Sequence, residues 1–241
     1  ALRFPLMAGS SLPLAWRRPP LELEPDAPVE HAVSVFHGGT ESYGFHALEA
    51  LQSMVERRRG GETGIAAVHC LAGADVWAWT DANAWGGKLL EAALERSETR
   101  AAGSARGNVK QPVLFLLEYR GGLRTATYIL NGHVRDCTVA VELRGRSQTV
   151  ATEMWLQGGR PHSHFSGLAY YIEELMLSGR AAYPVERTLL TSGALAALMD
   201  SASAKHTRIE TPWLNVSYRA PRKSFYNRGP VPALEASPSA C

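Results

Sequence analysis

Cysteine is scarce: Cys70, Cys137 and Cys241 are the only three in 241 residues. An odd number without metal-like spacing excludes a disulfide framework and points to a reducing, cytoplasmic compartment. Excess charge is equally small. A formal net charge of +2 gives no footing for nucleic acid or a membrane surface, and neither is expected as a partner. No apolar run approaches the ~20 residues of a membrane span, and no signal peptide is visible. Several catalytic signatures are also lacking: G-x-S-x-G, the Walker loop and H-E-x-x-H. Gly38-Gly39 followed by Gly44 comes nearest to a dinucleotide turn. Its spacing is not G-x-G-x-x-G, and no ribose-binding acid follows at the right distance, so no cofactor-binding residues are expected within the chain.

What is present suits a globular protein. Hydrophobic residues make up 45% and charged residues 20%, enough for one large domain or two small ones. The chain begins at Ala1 with a mixed apolar, proline-bearing stretch, which reads as the middle of a fold with an N-terminal portion missing. Residues 31–36 (HAVSVF) and 65–71 read as strands, with 76–79 extending or pairing with the second. Residues 88–97 read as a short amphipathic helix, and 99–110 as a mobile polar loop. Residues 112–119 (PVLFLLEY) are apolar on both faces, as a covered central strand requires. Residues 123–130, 134–144 and 148–156 follow as strands of an antiparallel meander, with Asn131-Gly132 as the hairpin signal between the first two. In the last strand Val150, Met154 and Leu156 share one side. Two helices, 163–178 and 185–203, can cover the sheet, the second turning Leu189, Leu195, Leu198 and Met199 inward. The fold expected is α+β: an open, largely antiparallel sheet with helices mainly packed on one face.

Residues 42–58 form the best-marked helix. Ala47, Leu48, Leu51, Met54 and Val55 make its apolar stripe, while Glu49, Gln52, Ser53 and Glu56 fall on the other side. Gly60-Gly61 ends it. His46 lies on the polar side one turn from the start, where glycines let a ligand approach. It is either a solvated histidine or a functional one. Arg17-Arg18 can hold an anion bidentately or stand as surface charge. His162 and His164 have H-x-H spacing, but at a helix entry the shared-face geometry of a strand fails and no third ligand is evident, so no metal is expected.

The strand, the glycine-bearing loop and Gly44-Phe45-His46-Ala47-Leu48-Glu49 resemble the G-x-H-x-x-D helix start of the Gfo/Idh/MocA (glucose-fructose oxidoreductase-like) dehydrogenases. The open sheet and the late helices, from Tyr183-Pro184-Val185-Glu186-Arg187 onward, resemble that family's C-terminal domain. The resemblance implies a three-part chain: 1–20 as the crossover from an absent dinucleotide-binding domain, 21–218 as the substrate domain, and 219–241 as a flexible tail. It implies NAD or NADP as cofactor, bound outside this chain, a sugar-like or polyol substrate, and a homo-oligomer formed through the sheet. His46 matches the histidine near the reacting hydroxyl. Ser42 stands where many members carry an Asp, with Glu41 beside it and Tyr43 following, a departure from the residues of the usual proton relay. Glu49 matches a helix carboxylate of structural character. Arg17, Arg18, Tyr43 and His162 are the substrate contacts expected. The other function class open to the sequence is a non-catalytic scaffold whose sheet face self-associates or binds carbohydrate.

Overall fold

A computed structural model of the chain describes residues 4–146 and 148–230. Among them eight strands form one sheet: β1 (Arg17–Arg18), β2 (Val29–Phe36), β3 (Ile65–Ala72), β4 (Val113–Tyr119), β5 (Arg124–Ile129), β6 (Cys137–Leu143), β7 (Val150–Met154) and β8 (Ile209–Glu210). Their spatial order is β1-β7-β6-β2-β5-β4-β3-β8. Every pairing is antiparallel except β2 with β5. The fold is therefore α+β with a mostly antiparallel sheet.

The expected meander is interrupted. β2 lies between β5 and β6, so Asn131-Gly132 turns the chain without joining neighbouring strands. The turn does a different job: Asn131 Oδ1 accepts from Gly38 N at 2.7 Å and its Nδ2 donates to Gly38 O at 3.0 Å. The chain leaving β5 is thereby clamped to the chain leaving β2.

Among the described residues six α-helices accompany the sheet: α1 (Ser42–Val55), α2 (Ala74–Ala82), α3 (Ala84–Leu94), α4 (Ala105–Asn108), α5 (Ser166–Ser178) and α6 (Glu186–Ser203). α1 and α6 pack together over one face, where Phe36, Leu48, Met54, Phe115, Cys137 and Leu198 are buried. α3, with α2 beside it, lies on the other face against Val33, Val35, Leu114, Tyr128 and Ala140. Residues 76–79, expected to extend a strand, belong to α2. The 99–110 loop contains α4 and is tied down by Ala101 N, which donates to His133 O at 2.8 Å.

The polar side of α1 does not face water. Glu49, Gln52, Ser53 and Glu56 are all buried. α6, packed beside α1 on the sheet, and the segments near both chain ends cover that side and supply partners for Glu49 and Glu56. Gln52 Nε2 donates to Glu62 at 2.6 Å and to Tyr218 at 2.9 Å, and Glu56 receives Arg187 through two bonds. α5 departs in the opposite sense. It stands off the sheet, leaving Phe165, Ile172, Met176 and Leu177 exposed, and touches the body where Tyr171 meets Phe225. In α6, Leu195 and Leu198 are buried and Met199 packs against the core as expected, whereas Leu189 is exposed and Leu190 is buried in its place.

Residues 10–16 are packed into the body. The stretch after Arg219, expected as a loose tail, is held as far as Gly229. Arg57 donates to the carbonyls of Pro221 and Arg222, Asn227 N donates to Leu14 O, and Trp16 Nε1 donates to Gly229 O. Residues 231–241, the rest of that segment, lie outside the described residues, as does Cys241. Cys70 and Cys137 are free thiols in the core.

Candidate active site

The strand register brings one row of side chains to one end of the sheet. Arg18 pairs with Glu153, Glu153 with Thr138, and Thr138 with Val35. α1 starts beyond the same end of β2. A cavity of about 820 Å³ runs over these strand ends, from the α1 side of the sheet to the loop after α3. On the α1 side its walls include Ser11, Phe36, His37, Tyr43 and His46. On the other side they include Arg18, Glu98, Asp136, Glu153, Trp155 and Gln157. His164 and Phe165, from the turn that leads into α5, also line it.

His46 sits at the end of a hydrogen-bonded chain. Its Nδ1 is 2.8 Å from Ser10 Oγ, and that hydroxyl accepts from Leu12 N at 3.1 Å. Ser10 N donates in turn to buried Glu49 at 3.3 Å, whose other oxygen accepts from Thr191 at 2.6 Å. Burial pushes the His46 pKa below that of a free imidazole, so the ring is neutral at pH 7. Burial also raises the Glu49 carboxyl against the opposing pull of Arg187. Gly44 is required one turn before the buried part of α1: a Cβ there would lie 2.8 Å from the Phe115 ring. The glycine thus lets α1 seat against β4, which fixes where His46 emerges.

Of the five residues singled out from sequence, His46, Tyr43 and Arg18 line the cavity. Tyr43 packs against Phe36 and His37, with ring centroids 5.6 and 5.4 Å apart. Arg18 donates to Glu98 at 2.9 Å and lies 4.6 Å over the Trp155 ring. Arg17 is elsewhere. Successive strand residues point to opposite faces, and Arg17 is buried beside Tyr226, donating to Leu21 O at 2.8 Å. Desolvation lowers its pKa to about 10. His162 does not line the cavity either; its neighbour His164 does. Gln157 N donates to His164 Nδ1 at 3.2 Å, which makes Nε2 the proton-bearing nitrogen of the neutral ring.

Sequence reading passed over Glu153, Asp136 and Gln157 as site residues, and weighed His164 only as a metal ligand. The signal for two of them was the second side of the last strand: Ala151, Glu153, Trp155 and Gln157 recur with period two, and a lone carboxylate in such a run is unusual. Glu153 is 2% exposed, and its Oε2 has no hydrogen-bond partner. Its pKa is raised to about 8, by desolvation first and then by Glu98 and Asp136, against the smaller opposing effect of Arg18. Asp136 accepts from Ser97 Oγ at 2.8 Å and Thr99 N at 3.0 Å. At neutral pH Glu153 is therefore a neutral carboxyl, able to donate as well as accept.

That shift carries a stability prediction. Below the ordinary 4.5 both folded and unfolded chains hold the Glu153 proton; between 4.5 and about 8 only the folded chain does. Stability conferred relative to an unperturbed carboxyl is thus lost as pH rises through this window and is flat above it. Glu153→Gln is expected to match the parent at pH 4 and exceed it by roughly 2 kcal/mol at pH 9, less than the full linkage value because cavity water screens the group. Urea midpoints at both pH values test this, and parallel pH curves for parent and variant would refute it.

Among the described residues no three His, Cys, Asp or Glu side chains are grouped to hold a metal ion, and no helix is long and apolar enough to cross a membrane. No family model matches the chain, and no curated protein matches it. Among solved structures it is similar to GenD2 from gentamicin A biosynthesis, in complex with NAD, at 15% identity over 77% of this chain and 56% of that one, with a TM-score of 0.49. It is similar to an oxidoreductase domain protein from Kribbella flavida at 11% identity over 78% and 60% of the two chains, with a TM-score of 0.45. An aldose-aldose oxidoreductase from Caulobacter crescentus complexed with glycerol gives 12% identity over 76% and 56%, with a TM-score of 0.38. The chain thus spans between 56% and 60% of the length of these proteins.

Proposed function

We propose that this chain binds substrate and mediates assembly in an NAD- or NADP-dependent oxidoreductase acting on a sugar, polyol or related hydroxy compound. One observation carries the reading: His46, held neutral by burial and tethered through Nδ1 to Ser10, stands on the wall of a cavity of about 820 Å³. A substrate hydroxyl placed at Nε2 gives its proton to His46 as its carbon is oxidised and recovers it in the reverse direction. Ser10 Oγ accepts from Nδ1–H or donates to Nδ1, so it supports both neutral tautomers. Tyr43 and His164 bound the hydroxyl-binding volume, and Glu153 adds a neutral donor at the far side.

The dinucleotide supplies the hydride acceptor, and the residues of this chain do not fit it. The glycine turn before α1 is closed: a Cβ on Gly38 would fall 2.3 Å from the Tyr43 ring, and Asn131 occupies both Gly38 backbone groups. No room remains for a pyrophosphate, so the cofactor is assigned to a part outside this sequence. Self-association through the sheet belongs to the same reading. It is assigned to the β4 end of the α2–α3 side, where Leu116 is half-buried and Glu118 exposed. Cytoplasmic placement is kept, on the strength of two free core thiols.

The test compares this 241-residue chain with the same polypeptide extended to its natural ends, each given NAD or NADP and a panel of sugars and polyols. Substrate-dependent reduction of the dinucleotide is expected from the extended form alone. No dinucleotide binding by the extended form, or reduction by the short chain itself, would overturn the assignment.

A further inference from the structure

The far end of the cavity is built from different chemistry than the end at His46. Glu153, Trp155 and Gln157 make one wall of it, and two buried polar atoms there, Glu153 Oε2 and Gln157 Nε2, have no partner. A buried polar group without a partner is costly, and a cavity that retains two of them is shaped for something that supplies the missing bonds. Gln157 is itself fixed, since its Oε1 accepts from Ser163 N. Its amide is therefore held in place by the turn before α5.

The charges around Glu153 indicate the sign of the missing group. Asp136, just before β6, and Glu98, in the loop after α3, both bear on it as negative charges. Arg18, on β1, is the one cation acting against them, and it is bound to Glu98 at 2.9 and 3.0 Å. Arg135, Tyr43 and the neutral rings of His37, His46 and His164 complete the titratable lining of the cavity. Asp136 is occupied by Ser97 and Thr99 and Glu98 by Arg18, so neither is turned inward to chelate a metal. They act on Glu153 through space, and the group they favour brings its own hydrogens and a positive charge.

We propose that the cavity takes an amine-bearing polyol or sugar, its ammonium seated on Glu153 beside Gln157 and its reacting hydroxyl toward His46. The inference rests on the oxidoreductase reading for the hydroxyl end only. Binding the ammonium expels the Glu153 proton to solvent, leaving an ion pair in a largely desolvated site. At pH 7 that deprotonation costs only about a factor of ten in affinity, because the carboxyl already titrates near 8. A neutral polyol meets the same wall without releasing a proton.

The experiment is calorimetry on the 241-residue chain with D-glucamine and D-sorbitol, which differ by one amine in place of one hydroxyl. Titrations are run at pH 7 in phosphate and in MOPS, whose ionisation heats differ and neither of which is an amine-bearing polyol. Glucamine is expected to bind at least about tenfold more tightly than sorbitol, with close to one proton released. The preference should grow between neutral and mildly alkaline pH, and Glu153→Gln should abolish both the preference and the proton release. Equal binding of the two ligands, binding of neither, or a preference that survives in the variant overturns the proposal. The oxidoreductase reading fails separately. An amine preference with no dinucleotide reduction by the extended polypeptide sinks that reading and leaves the subsite, whereas reduction by sorbitol without any amine preference does the reverse.

Discussion

Arg187→Met is expected to lower the stability of this chain by about 3–5 kcal/mol, the usual effect of stripping one partner from a buried ion pair. Arg187 is 4% exposed and Glu56 2%. The pair is bidentate: Nε donates to one carboxylate oxygen at 2.8 Å and Nη2 to the other at 2.6 Å. Tyr218 also donates to Glu56 at 2.8 Å, but a phenol does not neutralise a carboxylate. Removing the guanidinium therefore leaves a buried charge with hydrogen bonds and no counter-charge. Methionine replaces most of the side chain's packing volume, including the contact with the Tyr183 ring that the guanidinium covers at 4.3 Å. The loss is thus electrostatic rather than a cavity effect. The control is the double variant Glu56→Gln/Arg187→Met, which removes the orphaned charge and should recover at least half of the loss. Urea denaturation of the three proteins reads this directly. A single variant within about 1 kcal/mol of the parent would mean that water reaches Glu56 and that the pair is as weak as a surface one.

This ion pair also shows where the sequence stopped being readable. The apolar side of α1 was legible from helical spacing, and so was the covered strand β4, because both patterns depend on residues close in the chain. The other side of α1 carries Glu49, Gln52 and Glu56, and pattern alone assigns such residues to water. Their partners, Thr191, Tyr218 and Arg187, come from more than 100 residues away. Nothing local announces that α6 and the chain ends will cover them. The sheet order fails for the same reason. β2 enters between β5 and β6 through a parallel pairing with a partner some 90 residues on, and no turn signal encodes a long-range insertion. The Asn131-Gly132 turn was real but its hairpin was not. α5 fails in a third way, since its apolar residues suggested a sheet cover and Met176 and Leu177 stay exposed. At the site, His46 stood out because glycines flank its turn. Glu153 was missed because its strand was read by its apolar side, though the alternate positions carried the information.

The second large effect is at His46. On the oxidoreductase reading proposed above, His46→Ala in the polypeptide extended to its natural ends is expected to reduce kcat for polyol oxidation by about a hundred- to ten-thousand-fold, the range associated with losing a positioned acid–base group. KM should change far less. Phe36, Trp155 and Glu153 still shape the cavity, and the lost contact matters most when the hydroxyl proton is in transit. The pH profile separates this role from a structural one. Burial holds the His46 pKa below the 6.5 of a free imidazole. The ring accepts a proton only when neutral, so parent kcat/KM should rise with pH through that lowered value and then level off. In the variant the acidic limb attributable to His46 disappears. Ser10→Ala gives the graded control: His46 remains, but its Nδ1 loses the partner at 2.8 Å, so the rate should fall by about tenfold or less, consistent with one lost neutral hydrogen bond. A His46→Ala enzyme within threefold of the parent would remove the imidazole from the chemistry. His164, also on the wall, could not replace it as a base, because Gln157 N already occupies its Nδ1 and its Nε2 carries the proton.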